Sequence, residues 1–388
     1  MKRRSLAKVT LVSVLAIACL AAGGIKFPPR LSASPLAEGE SGAEWGADLK
    51  PLAALDPIDA HVHAWVDSPV LYTTLEHLRM HVVDICVVSR YDEPIYKTLA
   101  PQIRLAITLH HHSRGRVAVC TTFDPYRFEV PHFADEAIEQ LHENFRQGAV
   151  AVKIYKNMGM ELKWSSGKYL MPDDPVFEPI YKEIAAQNKT VIAHLADPNT
   201  CWTSYEEMDP NGPDYKYLKM YPFWHMYGKP GAPSKAQILA ARDHILEENP
   251  HLRLIGAHLG SMETDVDEIA RRFDRLPNFA VDTADRVHYL AAQSREKVRA
   301  FIIKYQDRIL YGTDDDLHPG MDAAKRLQEW QSQFALDWKY FATDETFRYA
   351  GATVQGLHLP PEVLKKVYHE NAVRWIPGVL ASPSTTNH

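Results

Sequence analysis
From residue 58 onward, short apolar runs rich in β-branched residues alternate with longer stretches whose apolar positions recur at helical spacing. The short runs cover 58–64, 82–89, 117–123, 149–155, 190–196, 252–259, 279–283 and 309–313. Between most of them lies a helix-length segment. In 234–248, Ser234 can cap the start, Ile238, Leu239, Ile245 and Leu246 form the apolar stripe, and Asn249-Pro250 stops it. Segments 133–147, 179–188, 265–275 and 295–305 read the same way.

Strands alternating with helices predict βα units and a parallel sheet. Eight of them predict an α/β (β/α)8 TIM barrel. The rival open, doubly wound sheet would carry a Gly-rich turn after its first strand, where this chain has His61-Val62-His63. One connection, 197–233 after the fifth run, is far longer than the rest. It holds Trp202, Tyr205, Tyr215, Tyr217, Tyr221, Phe223, Trp224 and Tyr227 and shows no sustained period. Loops beyond about 15 residues are uncommon and often functional. Trp202, Tyr215 and Trp224 are therefore candidate walls of a substrate pocket over the barrel mouth. The competing use of these rings is a small satellite core of the loop itself.

Composition is that of a folded protein, with 46% hydrophobic and 24% charged residues. The first residues differ: Met1-Lys2-Arg3-Arg4 is basic, Val9 to Leu20 is largely apolar, and Ala21-Ala22-Gly23-Gly24 is small. Residues 1–24 are read as a signal peptide, since the apolar run is shorter than the roughly 20 residues a spanning helix needs. Small residues before Cys19 resemble a lipoprotein cleavage site and make Cys19 a candidate for lipidation. Residues 25–57 read as a linker, 58–378 as the barrel and 379–388 as a tail. Removing the first segment takes away four cations and no acid, moving the formal charge from −6 to −10. Nucleic acid is thereby excluded as an expected partner. Cys86, Cys120 and Cys201 stand far apart without a CxxC, so neither a disulfide framework nor a thiolate metal site is indicated. Cys86 and Cys120 are expected as buried fillers.

Six residues close the apolar runs or follow them directly: His61, His63, Lys153, His194, His258 and Asp314. His61 and His63 are two apart, so on a strand both imidazoles leave the same face. Imidazoles and a carboxylate suit zinc and similar divalent ions. Such an ion lowers the pKa of bound water from about 15.7 towards 7. His61, His63, His194 and Asp314 fill a ligand set, and His258 or Asp314 could carry a proton. Lys156 falls on the opposite strand face from Lys153 by parity and is expected to reach solvent. The run His110-His111-His112 precedes a strand and is expected in a solvated turn. Asp315 and Asp316 are expected in a loop as partners of a His ligand, and Glu178, Glu247 and Glu268 on exposed helix faces.

The pieces Asp59-Ala60-His61-Val62-His63, Val191-Ile192-Ala193-His194, Gly256-Ala257-His258-Leu259-Gly260 and Leu310-Tyr311-Gly312-Thr313-Asp314 resemble the amidohydrolase superfamily. The closer likeness is to its amidohydrolase-related branch, which includes aminocarboxymuconate semialdehyde decarboxylase and resorcylate-type decarboxylases. Each piece is short, but the set occurs in family order over roughly 56–378. The resemblance implies that His61, His63, His194 and Asp314 bind the metal and that His258 is the base. In binuclear members a fourth-strand Lys is carbamylated and bridges two ions. Lys153 occupies that position; in the mononuclear branch it would instead bind a substrate carboxylate or phosphate. The surroundings of His258 and Asp314 resemble the mononuclear branch, so one divalent ion, zinc first, is expected, and two if Lys153 is carbamylated.

The function expected is an exported metal-dependent hydrolase, periplasmic or secreted, cleaving an ester, lactone, amide or related bond of a small molecule. A nonoxidative decarboxylase of an aromatic or unsaturated carboxylic acid is the alternative, and a noncatalytic binding protein on the same barrel the third reading. The partners expected are a small-molecule substrate and, through lipidated Cys19 alone, a membrane; homo-oligomerisation is left open.

Overall fold
A computed structural model of the protein describes residues 49–92 and 94–383. All eight expected strands form: β1 Ile58–Ala64, β2 His81–Ile85, β3 Val117–Thr121, β4 Ala149–Ile154, β5 Thr190–Ala193, β6 Arg253–Gly256, β7 Phe279–Asp282 and β8 Ile309–Leu310. They lie side by side in chain order, each neighbouring pair parallel. A further short strand, β9 (Asp315–Leu317), pairs with the other edge of β1. β8 and β9 are two pieces of one interrupted strand. Between them Asp314 takes a φ of +65°, which a pleated strand does not accommodate. The Ala60 N–H donates to the Tyr311 carbonyl at 2.9 Å and the Asp314 N–H to the His61 carbonyl at 2.8 Å, closing the sheet on itself. The fold is a (β/α)8 TIM barrel.

With side chains filling the inside and helices covering the outside, every residue of β1, β3, β4, β5 and β7 is buried. The helix Lys235–Glu248 starts as its sequence requires, Ser234 and Gln237 forming a reciprocal capping box. Helices Phe133–Arg146, Glu178–Ala186, Val266–Arg275 and Arg295–Lys304 fall on the other helical segments. Among the described residues no helix is long and apolar enough to cross a membrane.

Several expectations need correction. The stretch read as linker ends in a helix, Leu49–Ala53, whose Leu49 and Leu52 are buried. Val379, placed at the start of the tail, is buried as well. The signal peptide and Cys19 lie outside the described residues. The long connection contains a helix, Pro213–Met220, opened by its proline, with short 3-10 turns around it. His110-His111-His112 ends the helix Leu99–His112 instead of a turn; His110 is buried and its Nδ1 donates to the Val117 carbonyl at 2.8 Å. Asp315 and Asp316 are buried on β9, and Asp316 meets Arg326 at 2.7 Å and His318 at 2.8 Å. Cys86 and Cys120 are buried and free, as expected.

Candidate metal centre
β1 delivers two imidazoles to the C-terminal mouth of the barrel. His61 Nδ1 lies 2.9 Å from Asp282 Oδ2, at the end of β7, and His63 Nδ1 lies 2.9 Å from the Ile85 carbonyl, at the end of β2. His258, just past β6, places its Nδ1 2.9 Å from the Ala284 carbonyl. Carbonyl and carboxylate oxygens only accept, so each bond puts the imidazole proton on Nδ1 and leaves a lone pair on Nε2. His61 Nε2 and His63 Nε2 each stand 3.3 Å from Asp314 Oδ1. One ligating atom each from His61, His258 and Asp314 falls within 4.8 Å of the other two. The donor set of imidazole nitrogens and one carboxylate fits a divalent cation of the zinc kind. Lys153, 1% exposed, brings Nζ to 3.2 Å from His61 Nε2 and adds an ammonium to the cluster.

His194 stands beside His258, ring centroids 4.2 Å apart, but its Nε2 is turned to Asp197 Oδ1 at 2.9 Å. That bond protonates Nε2 and leaves Nδ1 with the lone pair. The second oxygen of Asp197 holds Lys156 Nζ at 2.6 Å, and the same ammonium reaches the Tyr217 hydroxyl at 2.6 Å and the Trp224 ring at 4.6 Å. Lys156 is thus buried, not directed to solvent: β4 ends at Ile154, so the two-residue alternation no longer governs position 156. Burial, and then the ammoniums of Lys156 and Lys153, hold the His194 imidazole well below its ordinary pKa. Burial and His194 do the same for His258. Neutral imidazoles are the form that ligates.

His258, Leu259, Gly260 and Ser261 run consecutively at φ between +57° and +62°. Left-handed geometry costs a residue with a Cβ roughly 1–2 kcal/mol. Asp282 Oδ1 accepts the His258 N–H at 2.8 Å and the Ser261 hydroxyl donates to the Ala196 carbonyl at 3.2 Å, which holds the turn in place. Strain held at a mouth residue in this way is a mark of functional sites.

Sequence reading missed three carboxylates. Asp282 serves His61 and His258 together. Asp197 serves His194. Asp59 accepts the His61 N–H at 3.0 Å, the Thr313 N–H at 3.1 Å and the Thr313 hydroxyl at 2.6 Å, tying β1 to the turn that carries Asp314. Burial pushes the Asp59 carboxyl up to about 7. The available signal was a lone acid at the end of an apolar run in Phe279-Ala280-Val281-Asp282, and next to one in the others. Of the aromatic candidates, Trp224 is buried beside Tyr155 and donates its indole N–H to Asp92 at 2.8 Å. Trp202 donates to the Pro233 carbonyl at 2.9 Å, and Tyr215 packs on Tyr205 at 5.7 Å, both within the long connection.

Comparison with known proteins finds a family model described as Amidohydrolase matching residues 58–377. No curated protein matches the chain. Among solved structures, an uncharacterized TIM-barrel protein from Bordetella bronchiseptica is similar at 15% identity and a TM-score of 0.48, covering 83% of this chain and 99% of its own. A probable 2-pyrone-4,6-dicarboxylic acid hydrolase from Acinetobacter baumannii is similar at 11% identity and a TM-score of 0.46, with coverage of 83% and 99%. A 2,6-dihydroxybenzoate decarboxylase from Rhizobium is similar at 14% and 0.47, with coverage of 82% and 98%. The family match spans the whole barrel and every residue of the histidine and aspartate cluster, and the chain belongs to the amidohydrolase superfamily, in its amidohydrolase-related branch.

Proposed function
We propose that the protein is an exported metal-dependent hydrolase that cleaves an ester, lactone, amide or related bond in a small molecule. The observation that carries this reading is the convergence of His61, His258 and Asp314, with the proton on each imidazole fixed at Nδ1 by a built-in acceptor. A bound divalent ion supplies Lewis acidity and an acidified water. His61, His63 and Asp314 would hold the ion, with His194, whose ring centroid lies 4.2 Å from that of His258, as a further candidate ligand. His258, neutral and tethered to Ala284, can receive a proton only at Nε2, the nitrogen that faces the cluster. Lys153 would orient an anionic oxygen of the substrate or, carbamylated, help to hold a second ion. Export is supported by the basic, apolar and small-residue order of 1–24.

Metal analysis of the purified protein, together with hydrolysis of an ester, lactone and amide panel, tests this reading. His61→Ala and Asp314→Asn are expected to lose metal and activity while keeping the far-UV CD of a barrel. Full hydrolysis by metal-free His61→Ala protein would overturn it, and CO2 release without water consumption would transfer the site to the decarboxylase reading. N-terminal sequencing of the exported chain tests the removal of 1–24.

A further inference from the structure
Beside the metal cluster, and lined by none of its residues, lies a cavity of about 590 Å³. It opens among the loops that follow β2, β3 and β4 and the end of the long connection. Three cations line it, each laid on an aromatic ring that lines it too: Arg90 over Tyr126 at 4.0 Å, Lys163 over Tyr169 at 4.2 Å and Lys229 over Phe223 at 4.4 Å. Among the described residues none of these three cations is within ion-pair distance of a carboxylate, although the Glu161 carboxyl acts electrostatically on Arg90 and Lys229, and Lys229 Nζ also donates to the Phe223 carbonyl. Two acids also line the space. The Glu161 carboxylate accepts the Tyr126 hydroxyl at 2.7 Å, and Glu129 at the rim accepts the Ser165 N–H at 3.0 Å. Burial pushes Glu161 up to about 7, so near neutrality it offsets only part of the cationic charge.

A wall separates this cavity from the cluster. Tyr155 packs against His194 at 5.2 Å on the cluster side and against Trp224 at 6.0 Å. Asp92 fixes both, accepting the Tyr155 hydroxyl and the Trp224 indole N–H at 2.8 Å each. Phe223 packs on Trp224 at 5.3 Å and stacks face to face on Tyr91 at 3.5 Å, and these two rings line the cavity.

We propose that this cavity is a second binding site, distinct from the metal cluster, for a small molecule that carries an anionic group on a planar apolar body. Arg90, Lys163 and Lys229 would take the anionic group, and Tyr91, Phe128 and Phe223 the body. Carboxylates and phosphates share the chemistry that these cations recognise. The volume is that of a site for one small ligand.

The test is calorimetric titration of the full chain with isophthalate, with neutral isophthalamide and with inorganic phosphate. Wild-type protein is expected to bind isophthalate and not isophthalamide, and phosphate binding as tight as isophthalate would assign the affinity to the anionic group alone. Arg90→Gln with Lys229→Gln should weaken isophthalate at least tenfold, while metal-stripped His61→Ala protein should bind it unchanged. Lys163→Gln alone, exposed and remote from the fold's core, guards against loss through misfolding and should weaken binding severalfold. No isophthalate binding at millimolar concentration, equal binding of the amide, loss of binding in the His61→Ala protein, or indifference to all three cation variants would each overturn the proposal. Because the His61→Ala protein reports on the cluster and the cation variants on the cavity, either reading can fail alone.

Discussion
Asp282 sits between two histidines of the cluster, its Oδ2 2.9 Å from His61 Nδ1 and its Oδ1 accepting the His258 N–H at 2.8 Å. One carboxylate thereby sets the tautomer of His61 and holds the strained turn after β6. Asp282→Asn keeps volume and one acceptor oxygen but removes the charge and offers an N–H donor. Outer partners of metal-binding imidazoles are typically worth 10- to 100-fold in metal affinity. Competition titration with a chromophoric chelator should show a loss of that size in Asp282→Asn, with the melting profile of the metal-free protein little changed.

The Lys156–Asp197 pair links the long connection to His194 through the Tyr217 hydroxyl. Both charges are buried, so removing the ammonium leaves Asp197 only the neutral imidazole N–H of His194 and its charge uncompensated. Lys156→Met should cost about 3–5 kcal/mol in denaturant unfolding, as expected for an uncompensated buried carboxylate. Tyr217→Phe, which removes one hydrogen bond to a charged group, should cost ~2 kcal/mol. A cost for Lys156→Met no larger than that for Tyr217→Phe would show that Asp197 finds another partner.

Where the sequence was legible, the reason is periodicity sustained by burial. All eight strands fall on the expected runs, because both faces of a closed parallel sheet select apolar residues. The ends of the strands were less legible. The apolar runs 190–196 and 252–259 look continuous in the sequence, yet the strands end at Ala193 and Gly256, just before His194 and His258. Beyond those points side-chain direction is set by tertiary hydrogen bonds instead of the pleat. Parity fails for Lys156 for that reason, and the roles of Asp282 and Asp197 emerge only when the fold brings His61 and Lys156 up to them. The histidines and Asp314 stood out because their residue types are costly to bury without a task.

Gly256 tests how tightly the turn at His258 is packed. Its φ of −72° suits any residue, so its smallness is a matter of space. A Cβ there would lie 2.8 Å from the Gly260 Cα and 3.0 Å from the Phe279 ring. Backbone cannot yield as a side-chain tip can, and Gly256→Ala should destabilise the barrel by about 1–3 kcal/mol in chemical unfolding. A neutral outcome would mean that the left-handed turn moves freely.

Asp337 gives the pH dependence a defined sign. It is buried on the helix Ala323–Ala342 and accepts the hydroxyls of Tyr311 at 2.8 Å and Tyr349 at 2.6 Å and the Gln333 amide at 2.8 Å. Burial outweighs these bonds and raises its carboxyl from 3.8 to about 6. The folded state therefore holds this proton more tightly than the unfolded chain, and between those two values the unfolded state binds fewer protons. Stability must then fall as pH rises from about 4 to 6 through this group, and level off above. Asp337→Asn removes the titration, whatever its fixed cost in altered hydrogen bonding. The unfolding free energy of the variant relative to wild type should shift in the variant's favour by on the order of 3 kcal/mol between pH 4 and 7, since each pKa unit is worth about 1.4 kcal/mol. Parallel pH profiles for the two proteins would show that Asp337 titrates as it does in the unfolded chain.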